Sequence, residues 1–150
     1  MYYHVIVILN RKDWSMKKYI VVGGVAGGAT CSARLRRLDE NAEIIMFEKG
    51  SYISYANCGL PYYIGNTIKD RQELFVQTPE AFKQRFNIDV RVQTLVISVN
   101  PKQKTVTAKN LRTGEEYTET YDKLVLSTGA DPLKPPIPGI NDKCIYTLRN

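Results

Sequence analysis

The chain has 150 residues, 43% of them hydrophobic and 24% charged, which is the composition of a water-soluble domain with room for one core. Three cysteines and one histidine are too few and too scattered for a disulfide framework or a metal site, and they point to the reducing cytoplasm. The net charge of +6 suits an anionic ligand and equally a solvated surface, whereas no basic–aromatic cluster argues for nucleic acid and no apolar run is long enough for a membrane span.

Residues 1–15, "MYYHVIVILNRKDWS", stand apart from the rest. Their basic residues follow the apolar run instead of preceding it, and no small-residue cleavage site closes it, so the stretch is not a secretory signal. "MKKYIVVGG" from Met16 reads like a natural start, and residues 1–15 are read as a non-native extension or an extra strand.

"YIVVG" is a short β-rich apolar run stopped by glycine, hence a buried strand. "GGATCSARLRRLDE" follows as a helix whose Ala29, Ala33 and Leu38 are expected on the buried face. "AEIIMFE" is a second strand, ending in Glu48, and the three together make a βαβ unit with a parallel sheet. "TPEAFKQRF" predicts a short helix with Thr78 as N-cap and Pro79 at its first position. "IDVRVQTLVISVN", "KTVTAKN" and "EEYTETY" alternate like a β-meander, "YDKLVLSTGADP" is a last apolar strand entering a glycine turn, and "LKPPIPGIND" is an extended loop. The class is therefore α/β, a Rossmann-like parallel sheet with a small antiparallel layer.

The turn "VVGGVAGG" matches G-x-G-x-x-G at Gly23 and Gly28, with Val25 at the middle glycine. Gly23, Gly24, Val25, Ala26, Gly27 and Gly28 would form a cradle in which backbone N–H groups and a helix N-terminus face a pyrophosphate. Glycine clusters also serve plain turns, but this one follows a strand, opens a helix and is followed by an acid, Glu48, at the end of the next strand. That acid, with Lys49 behind it, suits the hydroxyls of an adenosine ribose and argues against a 2′-phosphate there. In "STGADP", Thr128 and Gly129 supply either a strand-ending turn or a second wall of the same site.

Cys58 lies alone in "SYANCGLPYYIG". It is either a small buried apolar residue or a reactive sulfur whose partner comes from outside the chain. The glycine turn, Glu48, this segment, "STGADP" and "PPIPGI" occur in an order that resembles the flavoprotein pyridine nucleotide–disulfide oxidoreductases, in their single-cysteine branch, over Lys17 to Asn150. Within that branch the chain is most similar to the coenzyme A disulfide reductases, with NADH oxidases and peroxidases as relatives.

The resemblance implies FAD in the glycine cradle, NAD(P)H as electron donor and Cys58 as the redox-active residue. Dithiol members carry C-x-x-x-x-C, and here the position five after Cys58 is Tyr63. The lone thiolate would cycle as a mixed disulfide with coenzyme A, or as a sulfenic acid in an oxidase or peroxidase. A short helix is expected to begin beside Cys58, held to its first turn by Pro61. Thr30, Arg34 and Arg37, at i, i+4 and i+7 of the first helix, form a solvated basic face or, by resemblance, the phosphate contacts of coenzyme A, with Ser54 and Asn57 beside the sulfur. Tyr55 stands where that branch commonly has phenylalanine, and Cys31 and Cys144 are expected to be structural. Family members continue into an NAD(P)H domain, a returning FAD segment and a dimerisation domain that makes them homodimers. Residues 16–150 are thus expected to be an incomplete FAD-binding domain, inactive alone, with a non-catalytic flavin-binding remnant as the alternative.

Overall fold

The computed structural model of the chain describes residues 16–149, so the extension read over residues 1–15, His4 included, lies outside the described residues. Lys18–Val22 (β1), Ala26–Leu38 (α1) and Glu43–Phe47 (β2) form the expected βαβ unit, with β1 and β2 paired in parallel from Lys18↔Glu43 to Val22↔Phe47. The next helices are Leu60–Ile64 (α2) and Pro79–Phe86 (α3), the latter as expected. Its Thr78 hydroxyl accepts the Ala81 N–H at 3.2 Å, and Asn87 closes it in the left-handed region at φ 48°.

The run after α3 corrects the reading of a single meander strand. Asp89–Arg91 (β3) pairs in parallel with β2, and the chain then turns at Gln93, whose φ of 49° breaks the extended run. Only Thr94–Asn100 (β4), Thr105–Asn110 (β5) and Glu116–Thr120 (β6) form the antiparallel meander. Lys123–Leu126 (β7) returns beside β1, giving a parallel sheet in the order β3-β2-β1-β7. Residues 131–139 are without regular structure, as the prolines require.

Strand alternation assigns the two faces of that sheet. Tyr19, Val21, Ile44, Met46 and Val125 pack with Ala29, Ala33 and Leu35 of α1 and Phe82 of α3. Ile20, Ile45 and Phe47 point the other way, onto Val106 and Ala108 of β5. The domain is three layers thick, helices over parallel sheet over meander. Ile20, Ile44, Ile45, Met46 and Phe47 are 0–2% exposed, and each contributes roughly 1.5–3 kcal/mol of apolar burial. Leu38, expected in the core, is 59% exposed. It lies half a turn out of phase with Ala29, and Leu35, two turns on from Gly28, fills the place instead. The Arg36 guanidinium joins the helix ends by donating to the carbonyls of Phe86 at 2.8 Å and Asn87 at 2.9 Å.

An ion network staples meander to sheet. Glu119 of β6 accepts from Lys18 Nζ and from Arg91 Nη1, each at 2.7 Å, and Arg91 also pairs with Asp89 at 2.8 Å. Burial pushes the Glu119 carboxyl up, but its hydrogen bonds from Lys18 and Arg91 outweigh this and hold it below the usual range. Its contribution is therefore complete above the unfolded carboxylate pKa and is lost as pH falls through the lowered folded value. Glu119→Gln should destabilise the chain by about 2 kcal/mol near neutral pH. In urea melts taken across the acid range, that difference from wild type should shrink towards zero; a constant difference would refute the charge contribution.

Candidate active site

The turn after β1 is fixed by backbone contacts that leave no room for side chains. Gly23, at φ 101°, donates to the Phe47 carbonyl at 2.8 Å, while Ser127 donates to the Val22 carbonyl at 2.8 Å. A Cβ on Gly23 would land on the Ser127 carbonyl oxygen, and one on Gly28 would land on the Gly23 carbonyl oxygen. Only glycine fits either position. Helix α1 starts at Ala26 with no side-chain cap from Val25 and no acid in its first turn, so its positive end faces the turn uncovered.

Glu48 closes the other side. The residue is 8% exposed, and its carboxylate accepts two backbone N–H groups, Gly24 at 2.7 Å on Oε2 and Gly50 at 2.7 Å on Oε1. A carboxylate offers about four lone-pair positions, so about two remain to accept a pair of hydroxyls. Lys49 is exposed beside it. A cradle in which Cβ atoms cannot stand, an uncovered helix N-terminus and a buried acceptor with spare lone pairs together fit the ADP half of a dinucleotide.

Thr128 and Gly129 follow β7 as an exposed second wall, Gly129 at φ 72°. Arg149 reaches it from far along the chain: Nη2 donates to the Thr128 carbonyl at 3.4 Å, and Nη1 pairs with Asp131. The Arg149 carbonyl in turn accepts the Tyr55 hydroxyl at 3.2 Å. A cavity of about 450 Å³ lies between, lined by Asn57, Leu60, Pro61, Asp131 and Arg149 among others.

Cys58 sits exposed in a single 3-10 turn, Asn57–Gly59, which runs into the helix Leu60–Ile64 (α2) with Pro61 in its first turn. The segment is fastened to the glycine turn at Ser54, whose N–H donates to the Gly24 carbonyl at 2.9 Å and whose φ is 47°. The exposed, unburied thiol disposes of the inert-core alternative for Cys58. Cys31 is half-buried against the helix-side core, and burial pushes its thiol up. Cys144, expected to be structural, is a free and exposed cysteine. Thr30, Arg34 and Arg37 lie exposed on the outer face of α1, where Arg37 Nε donates to the Ala33 carbonyl at 3.2 Å. Among the described residues, none of these three bonds to the cysteine segment, to which Ser54 and Asn57 belong.

Sequence reasoning missed Arg149 and the Tyr55 hydroxyl. Tyr55 and Arg149 are 94 positions apart, a separation at which no local pattern speaks. Among the described residues no group of three or more metal-ligating side chains occurs, and no helix is long and apolar enough to cross a membrane.

Residues 17–150 match the family model described as pyridine nucleotide-disulphide oxidoreductase. The coenzyme A disulfide reductase of Staphylococcus haemolyticus (strain JCSC1435) is 47% identical over 135 residues, covering 90% of this chain and 30% of that protein. The crystal structure of reduced Bacillus anthracis CoADR-RHD superposes with a TM-score of 0.87 at 57% identity, over 93% of this chain and 25% of that one. The water-forming NADH oxidase of Lactobacillus brevis, bound to NADH, gives a TM-score of 0.82 at 34% identity, over 89% of this chain and 30% of that one. The chain thus spans under a third of the length of the relatives it matches.

Glu48→Gln would set an amide NH2 against one of two backbone N–H donors. It should destabilise the chain by about 1–3 kcal/mol, an unusually large loss for a one-atom change. Chemical denaturation of both proteins measures this directly, and a loss below about 0.5 kcal/mol would show that the two N–H bonds to the carboxylate carry little of the turn.

Proposed function

This chain belongs to the pyridine nucleotide-disulphide oxidoreductases, and from that premise we propose that it is the FAD-binding, sulfur-bearing part of a flavoprotein that reduces coenzyme A disulfide with NAD(P)H. The observation that carries the reading is a single exposed cysteine on a turn fastened to a glycine cradle, in a chain 47% identical to a coenzyme A disulfide reductase. NAD(P)H binding and dimerisation belong, in this reading, to the further length that such proteins have.

Residues Gly23, Gly24, Val25, Ala26, Gly27 and Gly28 would hold the FAD pyrophosphate, Glu48 and Lys49 the adenosine ribose, and Thr128 and Gly129 the opposite side. Bound there, FAD supplies an electron pair, drawn from NAD(P)H, for disulfide reduction. Cys58 supplies the attack. Its thiolate forms a bond to one sulfur of coenzyme A disulfide as the S–S bond breaks, and the other coenzyme A leaves as a thiolate that takes up a proton. Two electrons and a proton then regenerate Cys58 and release the second coenzyme A. Arg34 and Arg37, with Thr30, would meet the phosphates of the substrate, while Ser54 and Asn57 flank the sulfur.

A second reading is supported by the likeness to the Lactobacillus brevis oxidase, lower in identity at 34%. In it Cys58 is oxidised by peroxide to a sulfenic acid, releasing water.

Two measurements on the chain separate these readings. After incubation with FAD and desalting, the protein should keep a flavin absorption spectrum. Treated with coenzyme A disulfide, the Cys58 peptide should gain one coenzyme A much faster than the exposed Cys144 peptide does, and Cys58→Ser should abolish this. Preferential gain of one oxygen under limiting peroxide, without coenzyme A transfer, favours the oxidase reading. A colourless protein whose Cys58 is no more reactive than Cys144 contradicts both.

A further inference from the structure

Gly24 is bonded on both sides. Its N–H donates to Glu48 Oε2 at 2.7 Å, within the cradle, and its carbonyl accepts the Ser54 N–H at 2.9 Å. Ser54 passes the connection on, its own carbonyl accepting the Val76 N–H at 2.9 Å. Two positions further, the Ala56 N–H donates to the Leu74 carbonyl at 2.7 Å, with Tyr55 bridged to Phe75 between them. These contacts form the neck of a loop, residues 57–73, that carries Cys58. Beyond the neck the loop is lightly held. Residues 61–67 are exposed throughout, and its inward contact is the buried Gly59, seated against Leu74 and Ile68. Ser54 stands in the left-handed region at φ 47°, which costs a residue that has a Cβ. Sparse burial and an unfavourable backbone at the neck mark a segment that opens locally, without global unfolding.

We propose that the neck is a latch set by the cradle: a nucleotide filling the cradle closes the cysteine loop, through Glu48, Gly24 and Ser54. The proposal rests on the cofactor assignment above and adds an order of events, cradle first and sulfur second. The ADP half of the cofactor does the work, its diphosphate at the N-terminus of α1 and its hydroxyls on the spare lone pairs of Glu48. Both hold the turn that orients the Gly24 carbonyl. Cys58 is then presented on a fixed turn only in a loaded molecule. Linkage makes the effect reciprocal: the factor by which closure tightens nucleotide binding is the factor by which nucleotide favours closure.

The test uses ADP, which carries no flavin, on the full chain, and reads hydrogen exchange at the Ser54, Ala56 and Val76 N–H groups. An open neck that bound ADP as well as the closed one would leave these rates unchanged at any ADP concentration. Coupling predicts that saturating ADP slows them about tenfold. The reciprocal arm is Val76→Pro, which removes the N–H donated to Ser54 without touching the cradle. Phe75, extended at φ −91° and ψ 112°, suits the position before a proline. This variant should bind ADP several-fold more weakly, and unaltered affinity would refute the latch. If ADP raises the urea midpoint of the wild type but leaves the three exchange rates alone, the latch is wrong and the cofactor assignment stands. If ADP changes neither, both fail.

Discussion

A buried carboxylate must be met by donors, and the way Glu48 is met organises everything around it. Its two oxygens take the N–H groups of Gly24 and Gly50. Its own N–H donates to the Arg91 carbonyl at 3.0 Å, and its carbonyl accepts the Thr94 N–H at 3.0 Å. One residue therefore ties the turn after β1, the ends of β2 and β3, and the start of β4. The parallel sheet and the meander meet at that point, at the carboxyl ends of the strands, where open α/β sheets keep their ligand sites.

The layers give the two sides of the sheet different tasks. The meander covers one face with Val106 and Ala108 and is locked on by the Glu119 network, which ties β6 to β1 through Lys18 and to β3 through Arg91. The helical side carries the outward basic residues of α1 and, through Ser54 against Gly24, the anchor of the cysteine segment. The cysteine segment is thereby pinned to a turn in which Gly23 and Gly28 leave no room for a Cβ. Its geometry follows the sheet rather than its own short helix, which with five residues has little intrinsic stability.

What the sequence disclosed was whatever rests on local chemistry. The strand before Gly23 and the helix after it, the Thr78 cap and the irregular proline stretch all follow from residues within a few positions of one another, and each is present. Leu38 was misplaced by counting apolar residues without their angular phase. The run through Gln93 hid a change of sheet, because alternation looks the same in a parallel edge strand and in a meander; only a left-handed residue marks the break. At the candidate site, the positions of Glu48 just after its strand and of the glycines in their turn were legible in local pattern. Arg149 was not, since an arginine near a tyrosine and an aspartate acquires meaning only when the fold folds it back over the second wall.

The placement of β7 has a kinetic consequence. The meander strands are neighbours in sequence, joined by short turns, and such hairpins close within microseconds. β7 instead completes the sheet against β1 from across the chain, and the Lys18 N–H to Asp122 bond spans 104 positions. Contacts of that range carry the largest loop-closure entropy and form late. Because Ser127 bonds to Val22 at the end of that pair, the wall at Thr128–Gly129 faces the cradle only where β7 has docked on β1. A molecule gripping both would act after the folding barrier, slowing the departure of β7 while leaving the rate of its arrival almost unaltered.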